Sequence, residues 1–310
     1  MPEGIRVRII YNPVAGEGRF GIDRDSLEMK MKDASKAQGK DLEVSSLMTE
    51  CKGDCEEMAR QALKEGVDVV AVAGGDGTIM EAASALANTD TALGILPVGS
   101  GNDTIFSIGG HRDLDKCIDD ILGPCRRRLD MGTMNGKPFL NVVGIGLDAQ
   151  INHLVAKKRR LVLKYGPALV YAQAAVKVLL DYRPFRISVS YDARPPMELP
   201  ISLCTIGNGT VCGGGFRLTP LAVMDDGLLD LSVSEHVGLL RSLWNIPTAY
   251  RGAHLGMAEN HYHQARSITI VGLEGALPVH LDGEGGYEER MDLKIMPSCL
   301  TVVHPNIGSR

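Results

Sequence analysis

Val67-Asp68-Val69-Val70-Ala71-Val72-Ala73-Gly74-Gly75-Asp76-Gly77-Thr78-Ile79-Met80-Glu81-Ala82-Ala83 is the stretch on which the fold turns. Seven residues, six of them apolar and four β-branched, make a strand, five residues place three glycines around one carboxylate, and the last five open a helix. A near-continuous apolar run is the mark of a strand buried on both faces, as in a parallel sheet covered by helices. Glycines at the strand end let the chain turn sharply. They also let backbone N–H groups approach a phosphate without Cβ obstruction, at the positive end of a helix. A plain tight turn needs one such glycine rather than three.

Working outward, Ile5–Tyr11, Leu42–Leu47 and Ala92–Leu96 read as three further strands, alternating with helical stretches. Asp54-Cys55-Glu56-Glu57 reads as a helix start with Asp54 as N-cap, and Gly66 as its stop. Asn12-Pro13-Val14-Ala15-Gly16 ends the first strand, and Gly94 to Asp103, with Pro97, Gly99, Ser100, Gly101 and Asn102, ends the fourth. Three glycine-bearing loops thus gather at the carboxyl edge of one sheet, where such folds place their ligands. They describe a cleft for a triphosphate and a ribose, with Ser100, Thr49 and Asn12 as side-chain donors. Gly16-Glu17-Gly18-Arg19-Phe20-Gly21 matches the dinucleotide fingerprint, but it stands five residues beyond its strand, and Thr49 occupies the place of the ribose-reading carboxylate. A dehydrogenase is therefore disfavoured. No Gly-x-x-x-x-Gly-Lys-Ser/Thr occurs, which removes the P-loop enzymes.

The chain has 310 residues, 44% of them apolar, and a net charge of −5. This size predicts two domains, and the acidic balance supplies no global field for nucleic acid. The N-terminus lacks the blocks of a signal peptide and no apolar run is long enough to span a bilayer, so the expectation is a cytoplasmic protein. Seven scattered cysteines without a Cys-x-x-Cys pair predict reduced thiols. His261 and His263 alternate, so on a strand they would share a face, and two ligands do not make a metal site. Beyond about Arg128 strand-like runs dominate: Phe139–Leu147, Phe185–Tyr191, Ile201–Gly207, Leu228–Val233, Ser267–Val271, Val279–Asp282 and Met291–Ile295. They predict a mostly antiparallel sandwich or barrel, interrupted by helices at Ala149–Lys158 and Pro167–Leu180. The expected division is an α/β nucleotide-binding domain with a parallel sheet over 1–128, onto which the tail 298–310 packs back. A β-rich domain over 129–297 completes it.

Asn12-Pro13 with Gly16, the run Gly74 to Thr78 with Glu81, and Leu96-Pro97 with Gly99, Gly101, Asn102 and Asp103 resemble the nucleotide loops of the diacylglycerol-kinase catalytic family. The resemblance runs on in order through Asp130-Met131-Gly132, Asn141, Gly144 to Ala149, Gly213-Gly214-Gly215-Phe216, Asp225 to Asp230 and His280-Leu281-Asp282-Gly283-Glu284. It implies an ATP-dependent lipid kinase with an N-terminal domain like that of the NAD kinases. The implied nucleotide residues are Asn12, Pro13, Gly16, Thr49, Gly74, Gly75, Asp76, Gly77, Thr78, Glu81, Ser100, Asn102 and Asp103. The implied base is Glu284, with Asp282 orienting the hydroxyl or sharing a metal, and Asp76 acting through Mg²⁺ or the phosphates. The implied Mg²⁺ loop is Asp226 with the backbone oxygens of Val223 and Leu228. Two departures, Thr104 where the family has an aromatic and Leu221 where it has an acid, bear on substrate selectivity. The soluble-substrate kinases of the NAD-kinase and phosphofructokinase group, and a catalytically silent nucleotide sensor, are the competing readings.

The implied partners are a lipid substrate and a membrane surface touched peripherally, no nucleic acid, and a homodimer left open. Lys157-Lys158-Arg159-Arg160 beside the apolar helix from Pro167 is the segment expected to meet an anionic bilayer.

Overall fold

The structure, a computed structural model, describes residues 4–18, 23–99, 103–156, 161 and 164–305. Two compact units emerge, Met1–Leu129 with Ser298–Arg310, and Asp130–Pro297.

The first unit is built on a parallel sheet of β1 (Ile5–Tyr11), β2 (Leu42–Met48), β3 (Val69–Ala73) and β4 (Ala92–Leu96), in the order β2-β1-β3-β4. Every residue of β3 and β4 is buried, which accounts for their unbroken apolar runs. Helices α1 (Arg24–Ala37), α2 (Asp54–Glu65), α3 (Asp76–Leu86), α4 (Asp103–Ser107) and α5 (Leu114–Leu122) complete the unit. A side chain at Gly94 of β4 would meet Ile121 of α5 at 2.9 Å and Val69 of β3 at 3.3 Å, so this glycine permits the close helix-on-sheet approach. Asp54 differs from its expected role. The N-cap of α2 is Gly53, and the Asp54 carboxylate instead accepts from the backbone N–H groups of Glu50 and Cys51, fixing the turn before the helix. Gly66 does close α2, in the left-handed conformation.

In the second unit every described strand pair is antiparallel. In chain order its strands are β5 (Arg126–Met134), entered from the first unit, β6 (Lys137–Phe139), β7 (Val142–Gly146), β8 (Phe185–Tyr191), β9 (Met197–Gly207) and β10 (Leu229–Glu235). They continue with β11 (Asn260–Ala265), β12 (Ser267–Gly272), β13 (Leu277–Leu281), β14 (Glu284–Glu288) and β15 (Arg290–Val303). The long β9 pairs with β8 through its first half, with β7 through its second, and with β10 on residues 201–207, so the sheet branches there. A core of alternating apolar residues from these strands, including Val143, Ile145, Ile187, Ile206, Leu231 and Ile270, is almost wholly buried. Helix α6 (Leu147–Ala156) lies on β7, β9 and β13, α7 (Pro167–Leu180) packs on α6, and α8 (Leu239–Arg251) packs on α7. The last stands where no helix is expected from sequence, with Pro247 inside it. The end of β15 leaves this unit and joins the first, where Val302 pairs in parallel with Leu93 of β4.

His261 and His263 lie on β11. His261 Nε2 is 2.6 Å from a Glu235 oxygen, and the ring of His263 stacks on Tyr191 at 4.6 Å. All seven cysteines are free thiols.

Candidate active site

In the first unit the loops after β1, β2 and β3 meet at one sheet edge. The ladder runs one residue past the strands, with Asn12 N–H donating to Ala73 O at 2.9 Å and Thr49 N–H to Tyr11 O at 3.0 Å. Asn12 Nδ2 donates to Thr78 Oγ1 at 2.8 Å, which ties the first loop to the glycine loop. Asp76 is the first residue of α3, and its Oδ1 accepts from Thr104 N–H of α4 at 3.0 Å, so the fourth loop is held to the third. Thr104, which departs from the family pattern, is buried and contributes through its main chain. Glu81 reaches the other way and accepts from Gly53 N–H at 3.0 Å.

A side chain at Gly74 would stand 2.7 Å from Thr78 Cβ, and one at Gly77 would meet nothing. Gly75 has φ −94° and ψ 179°, an ordinary extended backbone, so its requirement is space before the helix end rather than an unusual turn. Gly16 is buried at φ 59° in the short helical turn Ala15–Gly18 that follows Pro13. Asp103 opens α4. Ser100 and Asn102 lie outside the described residues. No side chain caps the start of α3, so its first-turn N–H groups and positive dipole end offer donors of the kind that suit anionic oxygens.

In the second unit Asp282 and Gly283 form the two-residue turn between β13 and β14, with φ of 43° and 90°. This left-handed pair is the hairpin geometry that Asp-Gly favours. The Asp282 carboxylate accepts from Leu140, Asn141 and Val142 N–H at 2.7, 3.0 and 2.8 Å, so it anchors the hairpin tip to the start of β7. Glu284, the first residue of β14, is exposed beside it.

Beneath the tip lies a pair absent from the sequence-derived candidates. Buried His280 Nε2 is 3.0 Å from Asp148 Oδ2, and its Nδ1 accepts from Gly283 N–H at 3.3 Å. An acceptor at Nδ1 places the ring proton on Nε2, donated to the carboxylate. Asp148 and His280 thereby set the backbone one residue before Glu284. Asp148 lies within the Gly144–Ala149 motif and His280 two residues before Asp282, a proximity that sequence spacing alone does not disclose.

Asp148 also lines an otherwise apolar cavity of about 80 Å³ inside this unit. Its walls include Leu147 and Ile151 of α6, Tyr171 and Ala175 of α7, Phe216, and Ile246 and Ala249 of α8. Phe216 is aimed there by three consecutive glycines, Gly213, Gly214 and Gly215, all at positive φ, which fold the chain back so that Cys212 and Phe216 bond each other. The ring of Tyr250 meets Phe216 edge-on at 5.3 Å.

The Asp225–Leu228 loop is a tight turn, with Leu228 N–H donating to Asp226 Oδ1 at 3.0 Å and Gly227 N–H to Asp130 Oδ2 at 2.7 Å. Desolvation, then the charges of Asp130 and Asp225, hold the Asp226 carboxyl above its usual range. Burial pushes Asp230 up to about 6, although Tyr262 and Gln264 both donate to its Oδ1. Its other oxygen is buried without a partner. Such crowding of carboxylates fits a hard cation held by Asp226 and main-chain oxygens. Among the described residues no three His, Cys, Asp or Glu side chains converge as a ready-made cage.

The run Lys157–Arg160 lies outside the described residues. Among the described residues no helix is long and apolar enough to cross a membrane.

Residues 6–134 match the model of the diacylglycerol kinase catalytic domain, and residues 141–304 that of the YegS C-terminal NAD kinase beta sandwich-like domain. The chain is 30% identical to the diacylglycerol kinase of Bacillus subtilis over 285 residues, covering 91% of this chain and 90% of that one. It is 31% identical over 259 residues to a probable YegS-like lipid kinase of Chromohalobacter salexigens, covering 82% and 81%. Among solved structures, a putative diacylglycerol kinase of Bacillus anthracis superposes with a TM-score of 0.77 at 25% identity, covering 99% of each chain. An NAD kinase of Archaeoglobus fulgidus shares the fold with a TM-score of 0.53 at 11% identity, covering 97% and 94%. The chain belongs to the diacylglycerol kinase family, and it is an ATP-using lipid kinase.

Proposed function

We propose that the acceptor is the free hydroxyl of a neutral acyl lipid of the diacylglycerol class, and that Glu284 is the base that takes its proton. The observation that carries this reading is the cavity. Its lining is apolar, its single charged group is the carboxylate of Asp148, and that carboxylate is bonded to the histidine that sets the Asp282–Glu284 hairpin. An acyl chain is matched by the apolar wall, and an anionic headgroup beside Asp148 would be repelled without a compensating cation.

Phosphoryl transfer asks mainly for positioning and charge neutralisation. The triphosphate is received at the N-terminus of α3, where Gly74, Gly75 and Gly77 leave the backbone open and Asn12 and Thr78 hold two loops in register. Asp76 keeps the fourth loop against the third through Thr104. Thr49, Pro13, Gly16 and Asp103 shape the surrounding edge, and Glu81 steadies it through Gly53. Glu284 accepts the hydroxyl proton as the oxygen attacks the γ-phosphorus, and ADP leaves. Asp282 acts through position, because its oxygens hold three amides of the β7 start. Asp226, with the carbonyl oxygens of Val223 and Leu228, would hold Mg²⁺, which when bound supplies positive charge against the crowded carboxylates and the phosphates.

The test is product identification. Purified protein with labelled ATP and Mg²⁺ is offered diacylglycerol, phosphatidylglycerol, a sphingoid base and NAD separately, and the products are resolved by mass spectrometry. Phosphatidic acid as the dominant product is expected. Preferential phosphorylation of phosphatidylglycerol or NAD would overturn the assignment.

A further inference from the structure

Helix α8, Leu239-Leu240-Arg241-Ser242-Leu243-Trp244-Asn245-Ile246-Pro247-Thr248-Ala249-Tyr250-Arg251, has no buried residue. Its inner side is accounted for. Ser242, Asn245, Ile246 and Ala249 face cavities in the unit, and Ile246 packs with Tyr171 and Val178 of α7 against the cluster of Ile151, Val155 and Ala174. The opposite side carries Leu240, Trp244, Pro247 and Arg251, which at spacings of four, three and four fall on one stripe. Leu240 is 83% exposed and Trp244, the single tryptophan of the chain, is 80% exposed. An outward pair of this size, on a helix that no described segment covers, fits an interaction surface better than scattered surface apolarity. Helix α7 repeats the arrangement, with Tyr171, Ala174, Ala175 and Val178 inward and Leu169, Val176 and Leu180 exposed, again on one stripe.

We infer that α8 is a membrane-docking helix, whose Leu240 and Trp244 enter the boundary between headgroups and acyl chains of a bilayer, with the α7 stripe beside it. This rests on the lipid-kinase activity, and three observations commit the surface to a bilayer rather than to a second copy of the chain. The same two helices wall the apolar cavity on their inner faces, so embedding their outer faces brings that cavity to the depth of the acyl chains. The edges of the stripes carry exposed cations, Lys177 in the last turn of α7 and Arg251 in the last turn of α8, placed to meet anionic headgroups. Tryptophan with an apolar body and a polar N–H is suited to that level of the bilayer.

Trp244 reports on its own docking, because no other tryptophan contributes to the emission. The full chain is titrated with phosphatidylcholine vesicles containing a minority of phosphatidylglycerol. Its fluorescence is expected to shift to the blue and to be quenched by brominated acyl chains. Replacing both residues, Leu240→Ser with Trp244→Ser, should lower vesicle partitioning in sedimentation by roughly 100-fold, the loss of two inserted side chains. Activity on vesicle-borne diacylglycerol should fall with it, while activity on a dispersed short-chain analogue holds. Three results would overturn the inference: unchanged emission in protein that sediments with vesicles, no sedimentation, or emission already blue in a dimer without lipid, which would give the stripe to a second copy. The fluorescence and sedimentation arms require no turnover. They therefore stand even if the diacylglycerol assignment fails.

Discussion

Gly144→Ala tests whether the Asp148–His280 pair holds the Asp282–Glu284 hairpin. Gly144 lies on β7 directly opposite His280 of β13, and a methyl there would stand 2.1 Å from Asp148 Oδ2 and 2.3 Å from His280 Nε2. Ordinary contact begins near 3.4 Å, so both partners must move by more than an ångström, and their 3.0 Å hydrogen bond cannot survive that. The pair is almost fully buried, with 4% and 10% of the two side chains exposed, so water is poorly placed to replace the bond. Separating a buried carboxylate from its partner costs about 3–5 kcal/mol. Taking the lower value, because the strand can bend, a unit the size of Asp130–Pro297 should melt about 6–12 °C earlier. Calorimetric melting of the purified variant measures this, and lipid phosphorylation should fall as Gly283 loses its anchor on His280. The decisive control is the same change in a Asp148→Ala, His280→Ala background, where both obstructing atoms are gone and the added methyl should cost little. A wild-type melt for Gly144→Ala, or the same loss in both backgrounds, would refute the reasoning.

Glu284→Gln should lower turnover by roughly 10²- to 10⁴-fold with melting and ATP affinity unchanged, since the side chain is exposed and its proposed part is to take the proton. Asp282→Asn should instead lower melting and turnover together, because an amide cannot accept from all three N–H groups and each buried orphan costs about 1–3 kcal/mol. Gly74→Ala should displace Thr78 and its bond to Asn12 and weaken ATP binding by roughly 10-fold or more in calorimetry. Gly75→Ala meets no protein atom closer than 4.0 Å, so its melting should be normal and any lost ATP affinity reports the nucleotide itself. His254 is buried, donates from Nε2 to Leu218 O, and has its pKa lowered by desolvation. Below pH 6.5 the unfolded chain takes up a proton that the folded one refuses. Stability therefore falls as pH drops through 6.5 toward the lowered folded value, and denaturant titrations of His254→Gln should show a shallower decline there.

The parallel sheet was legible because its signals are local. Each strand is an apolar run, and each ends in glycine or proline where the chain must turn, so Ile5–Tyr11 and Ala92–Leu96 agree with the structure to the residue. What escaped depends on partners far along the chain. Helix α8 was hidden by Pro247 and by a stripe that faces away from the protein, which breaks the pattern by which buried helices are recognised. Strand β11, Asn260-His261-Tyr262-His263-Gln264-Ala265, carries its apolarity in rings rather than aliphatic residues, and β14 holds two glycines. Asp282 read as a hydroxyl-orienting group because its spacing to Glu284 is visible. Its three amide partners lie some 140 residues earlier in the chain and are not.

The strand that lies beside β4 comes from the last part of the chain, and this has a consequence for biosynthesis. Residues 5–96 leave the ribosome with four strands of their sheet, but the fifth, ending at Val303, follows about 200 residues later, a delay of roughly 10–40 s at ordinary elongation rates. During that interval Leu93 and its neighbours form an unguarded sheet edge, which a nascent chain shares with its polysome neighbours. The second unit meanwhile has every one of its own strands available before the first unit can close. The half that is made first is therefore finished last, and a chain cut short before Leu300 would retain a complete second unit beside a first one open to aggregation.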